Sequence, residues 1–301
     1  MLSRVADSAY WMSRYLERAE HTARLGDVCL SLTVDRSSEV VKRLMATLPA
    51  PPEGYGFSVP ALTELSAQER VNRSIGACIT AARENARQIR EQISSEMWEQ
   101  INTMYLDVRQ RSADGSSMFY RQVKESSHLF QGVTDSTLAH TEGWHFIQIG
   151  RSIERAGSTA TMLEMHFGDA DDGSRKSDIG TYVSWTALLR SCSAFEAYCQ
   201  RYTAEVRPER IAEFLLLSVD FPRSVGFAVD TVEHSLRWIA AALGRASTSR
   251  VDRLAGRLRA SLGYSQIDEI MVSAHHSLRN SWRGSDKRMT EFRSALSGVC
   301  L

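Results

Sequence analysis

Apolar residues along the chain return at helical spacing nearly everywhere. Residues 11–25, WMSRYLERAEHTARL, put Met12, Leu16, Ala19 and Ala23 at i, i+4, i+7 and i+11. Arg14, Glu17, Arg18, His21 and Arg24 occupy the opposite face. That is the 3.6-residue period of an amphipathic helix, written in good helix formers. Residues 145–167 repeat the pattern with Ile149, Ile153, Ala156, Ala160 and Leu163 on one face. Residues 76–108 read as a third long stretch, with Ile79, Ile89, Ile93, Met97, Ile101 and Leu106 as core positions. Phe214-Leu215-Leu216-Leu217 is a core run, and Trp11, Trp98, Trp144, Trp185 and Trp238 sit in periodic stretches as further core candidates. Strand-like alternation is nearly lacking, so the expected fold class is all-α, a helical bundle.

Breaks are few. Pro49, Pro51 and Pro52, followed by Glu53-Gly54-Tyr55-Gly56, form a loop that no helix crosses. Asp114-Gly115-Ser116-Ser117 is a second break, and Gly168 to Ser174 a third, read as a solvated turn after a helix C-terminus.

An internal duplication is the most informative feature. Arg14-Tyr15-Leu16-Glu17-Arg18-Ala19 returns as Arg151-Ser152-Ile153-Glu154-Arg155-Ala156, and Thr22-Ala23 as Thr159-Ala160. Asn72-Arg73-Ser74-Ile75-Gly76 then pairs with Pro222-Arg223-Ser224-Val225-Gly226, in the same order. Two different matches in one order predict two tandem repeats, about 1–138 and 139–301, related by a pseudo-twofold within a single domain spanning 1–301.

The duplicated residues are the candidate chemistry. Arg at i, Glu at i+3 and Arg at i+4 are helix neighbours, and the two like charges repel unless an anion lies between them. A single such stripe is usually a solvated face worth about 0–1 kcal/mol. Solvated faces have no reason to keep one spacing in two repeats whose other polar positions differ. The expected arrangement is a seam of Arg14, Glu17, Arg18, Arg151, Glu154 and Arg155, either architectural or holding an anionic ligand, since guanidinium forks grip carboxylates and phosphates bidentately. In the second pair, Asn72 reads as a helix N-cap and Pro222 as a first-turn residue. Ser74 and Ser224 would then lie at helix N-termini beside Arg73 and Arg223, placed either to cap the helix or to cradle an anion. Arg83, Arg87 and Arg90 make a third, cationic stripe, with Glu84 and Glu91 adjoining it; exposed ion pairs are the default there.

Composition narrows the remaining choices. Lys plus Arg and Asp plus Glu are both 36, for a net charge of zero. This excludes a nucleic-acid binder working through bulk charge and leaves self-association open. No apolar run approaches the ~18 residues that span a bilayer, and no signal-peptide core opens the chain. The five cysteines include no C-x-x-C pair, so they read as reduced thiols of a cytoplasmic protein. Phosphate-loop, dinucleotide, zinc-protease and serine-hydrolase motifs are missing. Glu142 and His145 have di-iron spacing, but such a centre needs two pairs and two more Glu, so neither metal nor cofactor is expected. His128, His140, His166, His234 and His275-His276 read as surface or boundary residues.

These residues resemble a known family, the bacterial alpha-E proteins. The resemblance rests on Met1-Leu2-Ser3-Arg4, Tyr10 to Glu20, Ala82 to Arg87, Met97-Trp98-Glu99, Gly150 to Ala156 and Phe221 to Val225, in order. Ser13 stands where the family usually has Gly, and His21 where it usually has Asn. The resemblance implies the company of a circularly permuted ATP-grasp ligase, which activates a carboxylate as an acyl phosphate for attack by an amine. It also implies the company of a transglutaminase-like protein. The expected function is therefore a helical partner in synthesis or modification of a small peptide. Arg83, Arg87, Arg223 and Ser224 would extend the seam toward a carboxylate- or phosphate-bearing ligand. Two alternatives stand beside it. One is an enzyme that passes the acyl group to an amine with Glu17 or Glu154 as general base. The other is a non-catalytic structural adaptor.

Overall fold

The structure, a computed structural model, describes residues 3–34, 38–50, 52, 66–111, 116–168, 178–203, 205–244, 249–268 and 270. Among the described residues every regular element is helical, in keeping with the all-α expectation. In order they are α1 (Ser3–Val34), α2 (Ser38–Ala46), α3 (Ala67–Gln88), α4 (Ser95–Arg111), α5 (Ser117–Thr137) and α6 (Glu142–Gly168). There follow α7 (Asp178–Ser191), α8 (Phe195–Tyr202), α9 (Pro208–Leu217), α10 (Val225–Ala242) and α11 (Arg250–Tyr264). The helices group into two compact units. The first holds residues 3–34 and 48–154, the second residues 38–47 and 155 onward, so α6 contributes its first part to one and its remainder to the other.

In the first unit α1 packs on α3 and α5, α3 on α4, and α4 on α5. That closed circuit with short α3–α4 and α4–α5 connections is the pairing of a four-helix bundle. Its core is what the period demanded: Met12, Leu16, Ala19 and Ala23 of α1 are buried, as are Ile79, Met97, Ile101 and Ile149. Lys124 Nζ reaches Asp27 at 2.6 Å and pins α5 to α1 at the edge of this core. The stretch 76–108 is not one helix. Ile89 takes an extended φ of −119°, a short 3-10 turn covers Arg90–Gln92, and the Ser94 hydroxyl accepts from the Met97 N–H to start α4. Burying both Ile89 and Ile93 across that turn folds α4 back onto α3. Leu106 is not core: it is 55% exposed, because the turn rotates α4 relative to the continuous helix that the period implied.

In the second unit α2 packs on α7, α7 on α8, α10 on α11, and α9 against α8, α10 and α11. Phe214 and Leu215 are buried as expected, and Tyr198, Tyr202, Phe214 and Phe221 form an aromatic cluster. Trp185 is buried between His166 and Phe167. The other four indoles, Trp11, Trp98, Trp144 and Trp238, are only half-buried, against the core assignment. Conversely His166 is buried, with Nδ1 on the Met162 carbonyl, rather than at the surface. His275-His276 lie outside the described residues, as does most of the Gly168 to Ser174 turn.

The contact between α1 and the start of α6 is unusually close. A Cβ on Gly150 would fall onto the Ser13 hydroxyl and the Tyr10 carbonyl. Ser13 turns that hydroxyl back to the same carbonyl at 2.9 Å, so no polar atom is stranded. Gly150→Ala therefore costs roughly 1–3 kcal/mol through overpacking. Adding Ser13→Gly recovers part of the loss, because the backbone carbonyl still obstructs. Urea unfolding of the two single variants and the double variant checks this; an unaffected Gly150→Ala protein contradicts it.

Candidate functional site

The site is built on α1 by spacing alone. Tyr10, Trp11, Arg14, Tyr15 and Arg18 fall at i, i+1, i+4, i+5 and i+8, so each guanidinium lies one turn beyond an aromatic ring. The Arg14 guanidinium carbon sits 4.8 Å from the Trp11 ring centre and 5.5 Å from that of Tyr10. Arg18 lies 5.7 Å from Tyr15. These rings desolvate the cations and attract them through their π faces.

Glu154 of α6 closes the site. Its Oε2 accepts from Arg14 Nε at 2.9 Å, Arg14 Nη2 at 2.6 Å and Arg18 Nη2 at 3.1 Å. Its Oε1 accepts from Arg18 Nε at 2.7 Å. The remaining guanidinium nitrogens are also engaged: Arg14 Nη1 donates to the Tyr10 hydroxyl and Arg18 Nη1 to the Ala50 carbonyl. All six guanidinium nitrogens therefore have acceptors. Glu154 and Arg14 are buried, and the Arg18 side chain is 14% exposed. Burial disfavours the charge on both arginines, but Glu154 more than restores it, so each ends up a stronger cation than usual.

Cys78 of α3 is fully buried, close enough to feel the charges of Arg18 and Glu154. Burial pushes its thiol up to about 12, even though the Arg18 charge pulls the other way. Neither Cys78 nor the aromatic ring set was singled out from the sequence. The aromatic-then-Arg spacing of three or four residues was the available signal.

The other expected residues are distributed as follows. Glu17, also buried, accepts from Gln131 of α5 at 3.1 Å. Arg151 bonds Gln148 and approaches Asp135 at 3.9 Å, so it turns toward α5. Arg83 and Arg87 share Glu84, at 3.1 and 2.8 Å, and Arg83 also donates to Asn102 of α4 at 2.6 Å. They form a separate cluster on α3 and α4. In the second unit Arg155 is half-buried, and Arg223 is buried with its carbonyl accepting from Thr159 at 2.9 Å.

The R-S-x-G pair does not occupy like positions. Ser66, not Asn72, caps α3, through a capping box with Glu69, and Ser74 lies a full turn and more inside the helix. The Ser-x-x-Glu signal at 66–69 outweighs Asn72 because its two bonds are reciprocal. At the other copy Ser224 is the N-cap of α10, accepting from Phe227 N–H at 3.0 Å, and Pro222 precedes the cap rather than entering the first turn. Gly226 allows close approach there, since a Cβ would press on the Leu216, Leu217 and Ser218 carbonyls at 3.1–3.2 Å. Glu142 and His145 sit on α6, and among the described residues no three His, Cys, Asp or Glu side chains gather as a metal site.

A family model described as a predicted alpha-helical domain with a conserved ER motif matches residues 1–299. The chain belongs to the Alpha-E family. Of the chain's E-R pairs, Glu17-Arg18 contributes its arginine to the site and Glu154-Arg155 its glutamate, and that glutamate holds that arginine. An uncharacterized protein of Mycobacterium bovis and two of Mycobacterium tuberculosis are each 23% identical to this Alpha-E chain. The similarity covers 92% of this chain but only 36% of each relative, so the chain spans about a third of their length. No solved structure matches it. Among the described residues no helix is long and apolar enough to cross a membrane.

The buried acids of the first unit set an alkaline limit. Cys29 and Tyr120, like Cys78, are raised by burial to about 12. In an unfolded chain a thiol ionises near about pH 8.5 and a phenol near about 10. Above that range the unfolded chain binds fewer protons than the folded one, so stability falls with rising pH. The urea midpoint of this Alpha-E chain is expected to show no slope from these groups near neutrality and to decline from about pH 9 upward. A midpoint that rises over that window contradicts the assignment.

Proposed function

We propose that the chain is a non-catalytic helical partner of an ATP-grasp-type ligase in the synthesis or modification of a small peptide. The observation that carries this is the saturation of the Arg14–Glu154–Arg18 node. Both carboxylate oxygens are occupied by guanidinium donors, and every guanidinium nitrogen already has a protein acceptor. An external carboxylate or phosphate would have to share nitrogens that the protein already engages. A carboxylate gripped by two cations is also a poor general base, which argues against acyl transfer through Glu154.

The node therefore supports a scaffold role, with Arg14, Arg18 and Glu154 holding helices in register. Ser13 and Gly150 each stand directly before an R-x-x-E-R run, and they touch. Contact between equivalent positions supports the tandem duplication. The relatives support partnership from another side: matching segments that make up 36% of a longer chain have more polypeptide to work beside. The ligase itself is what the family resemblance implies.

The test is reconstitution. Ligase, ATP and a carboxylate substrate are assayed for amide product with an amine acceptor, with and without this chain, and with its Glu17→Gln variant. Glu17 is the other candidate base. The expected result is product that depends on the ligase, rises with wild-type chain, and rises equally with folded Glu17→Gln. Amide formed by this chain alone from a supplied acyl phosphate, or a ligase indifferent to its presence, overturns the proposal.

A further inference from the structure

A ladder of guanidiniums and rings runs across α3 and α4. Arg90 lies 5.5 Å from the centre of Trp98, which Arg83 also covers at 5.6 Å. Arg83 in turn lies 4.7 Å from Tyr105, which Arg109 covers at 5.6 Å. α3, the short turn after it and α4 thus alternate Arg90, Trp98, Arg83, Tyr105 and Arg109. Asn102 fixes the middle rung by accepting from Arg83 Nε, and it is itself tied to the Trp98 carbonyl at 2.8 Å.

The ladder lies at the surface and is cationic. Arg87 and Arg109 are exposed, and Arg83, Arg90, Trp98 and Tyr105 are half-buried. Glu84 is the one carboxylate among the described residues that ion-pairs with it, through Arg83 and Arg87. Arg90 and Arg109 have no ion-pair partner among the described residues; Arg109 donates only to the Tyr105 hydroxyl. Stacking on a ring occupies a guanidinium's face while leaving its in-plane N–H donors for a carboxylate fork. Trp, Tyr and Arg are the residue types that dominate protein interfaces.

We propose that this ladder is a docking surface for an acidic peptide segment of a partner protein, with Arg90 and Arg109 as the terminal carboxylate contacts. This rests on the partner reading above and gives the partner's surface a chemistry. A nucleic acid suits the ladder less. The rings already carry guanidiniums, so bases lack free π faces to stack on. Exposed Glu91, Glu96 and Glu99 also border the rungs in sequence, and they would repel a continuous phosphate backbone. Discrete side-chain carboxylates can avoid them.

The experiment uses the full chain and a fluorescein-labelled peptide whose glutamates are separated by neutral residues, read by anisotropy, with labelled oligo-dT as counter-probe. The test variant is Arg90→Gln with Arg109→Gln, checked for an unchanged melting temperature, since neither residue is buried or ion-paired. Expected is saturable peptide binding that weakens with salt and falls roughly tenfold or more in the variant. Absence of peptide binding, equal binding by the variant, or tighter binding of oligo-dT overturns the proposal. Co-purification with the ligase separates the two readings. A wild-type chain that does not co-purify overturns the partnership, while the peptide assay still decides the ladder. A variant that co-purifies as well as wild type overturns the ladder as the docking face and leaves the partnership standing.

Discussion

A carboxylate buried without partners is too costly for a fold of ordinary stability, so Glu154 dictates its surroundings. It needs cations, and α1 provides two on adjacent turns. The cations in turn need acceptors, and the Tyr10 hydroxyl and the Ala50 carbonyl give one to each nitrogen that Glu154 leaves open. The aromatic rings of Tyr10, Trp11 and Tyr15 keep water from competing. Once these demands are met together, α1 and the start of α6 have only one register. Gly150, one turn before Glu154, removes the side chain that would hold the backbones too far apart for the bonds to form.

This explains why the polar stripe could not be read as an ordinary solvated face. Arg14, Glu17, His21 and Glu154 are buried, although a hydropathy profile gives them the wet side of the helix. Their repetition in the sequence, not their polarity, revealed them. What repetition could not show was stoichiometry. A seam of four arginines and two glutamates suggested an anion to be supplied from outside; in the described geometry Glu154 itself supplies the charge for Arg14 and Arg18.

The fold class was legible because apolar period alone sets it, and Met12, Leu16, Ala19, Ala23, Ile149 and Leu163 all went to the core. The differences within 76–108 share one cause. A short reversal is invisible to a periodicity argument when apolar residues continue through it, as Ile89 and Ile93 do, so 76–108 reads as one periodic stretch where α3 and α4 stand. Leu106 reads as core in that stretch but is exposed, and Trp98 carries Arg83 and Arg90. The Asn72 cap fails for a different reason: a lone capping residue yields to the reciprocal Ser66–Glu69 pair that starts six residues upstream.

The account turns on the Arg18–Glu154 interaction stabilising the first unit as a coupled pair. A double-mutant cycle with Arg18→Gln and Glu154→Gln, read by urea unfolding, tests that directly. Glu154→Gln takes the carboxylate from two buried cations and costs about 3–5 kcal/mol, whereas Arg18→Gln leaves Glu154 paired with Arg14 and costs less. Removing both partners costs less than the sum, by about 1 kcal/mol or more. Single changes that are nearly neutral, or that simply add within about 0.5 kcal/mol, would contradict the account.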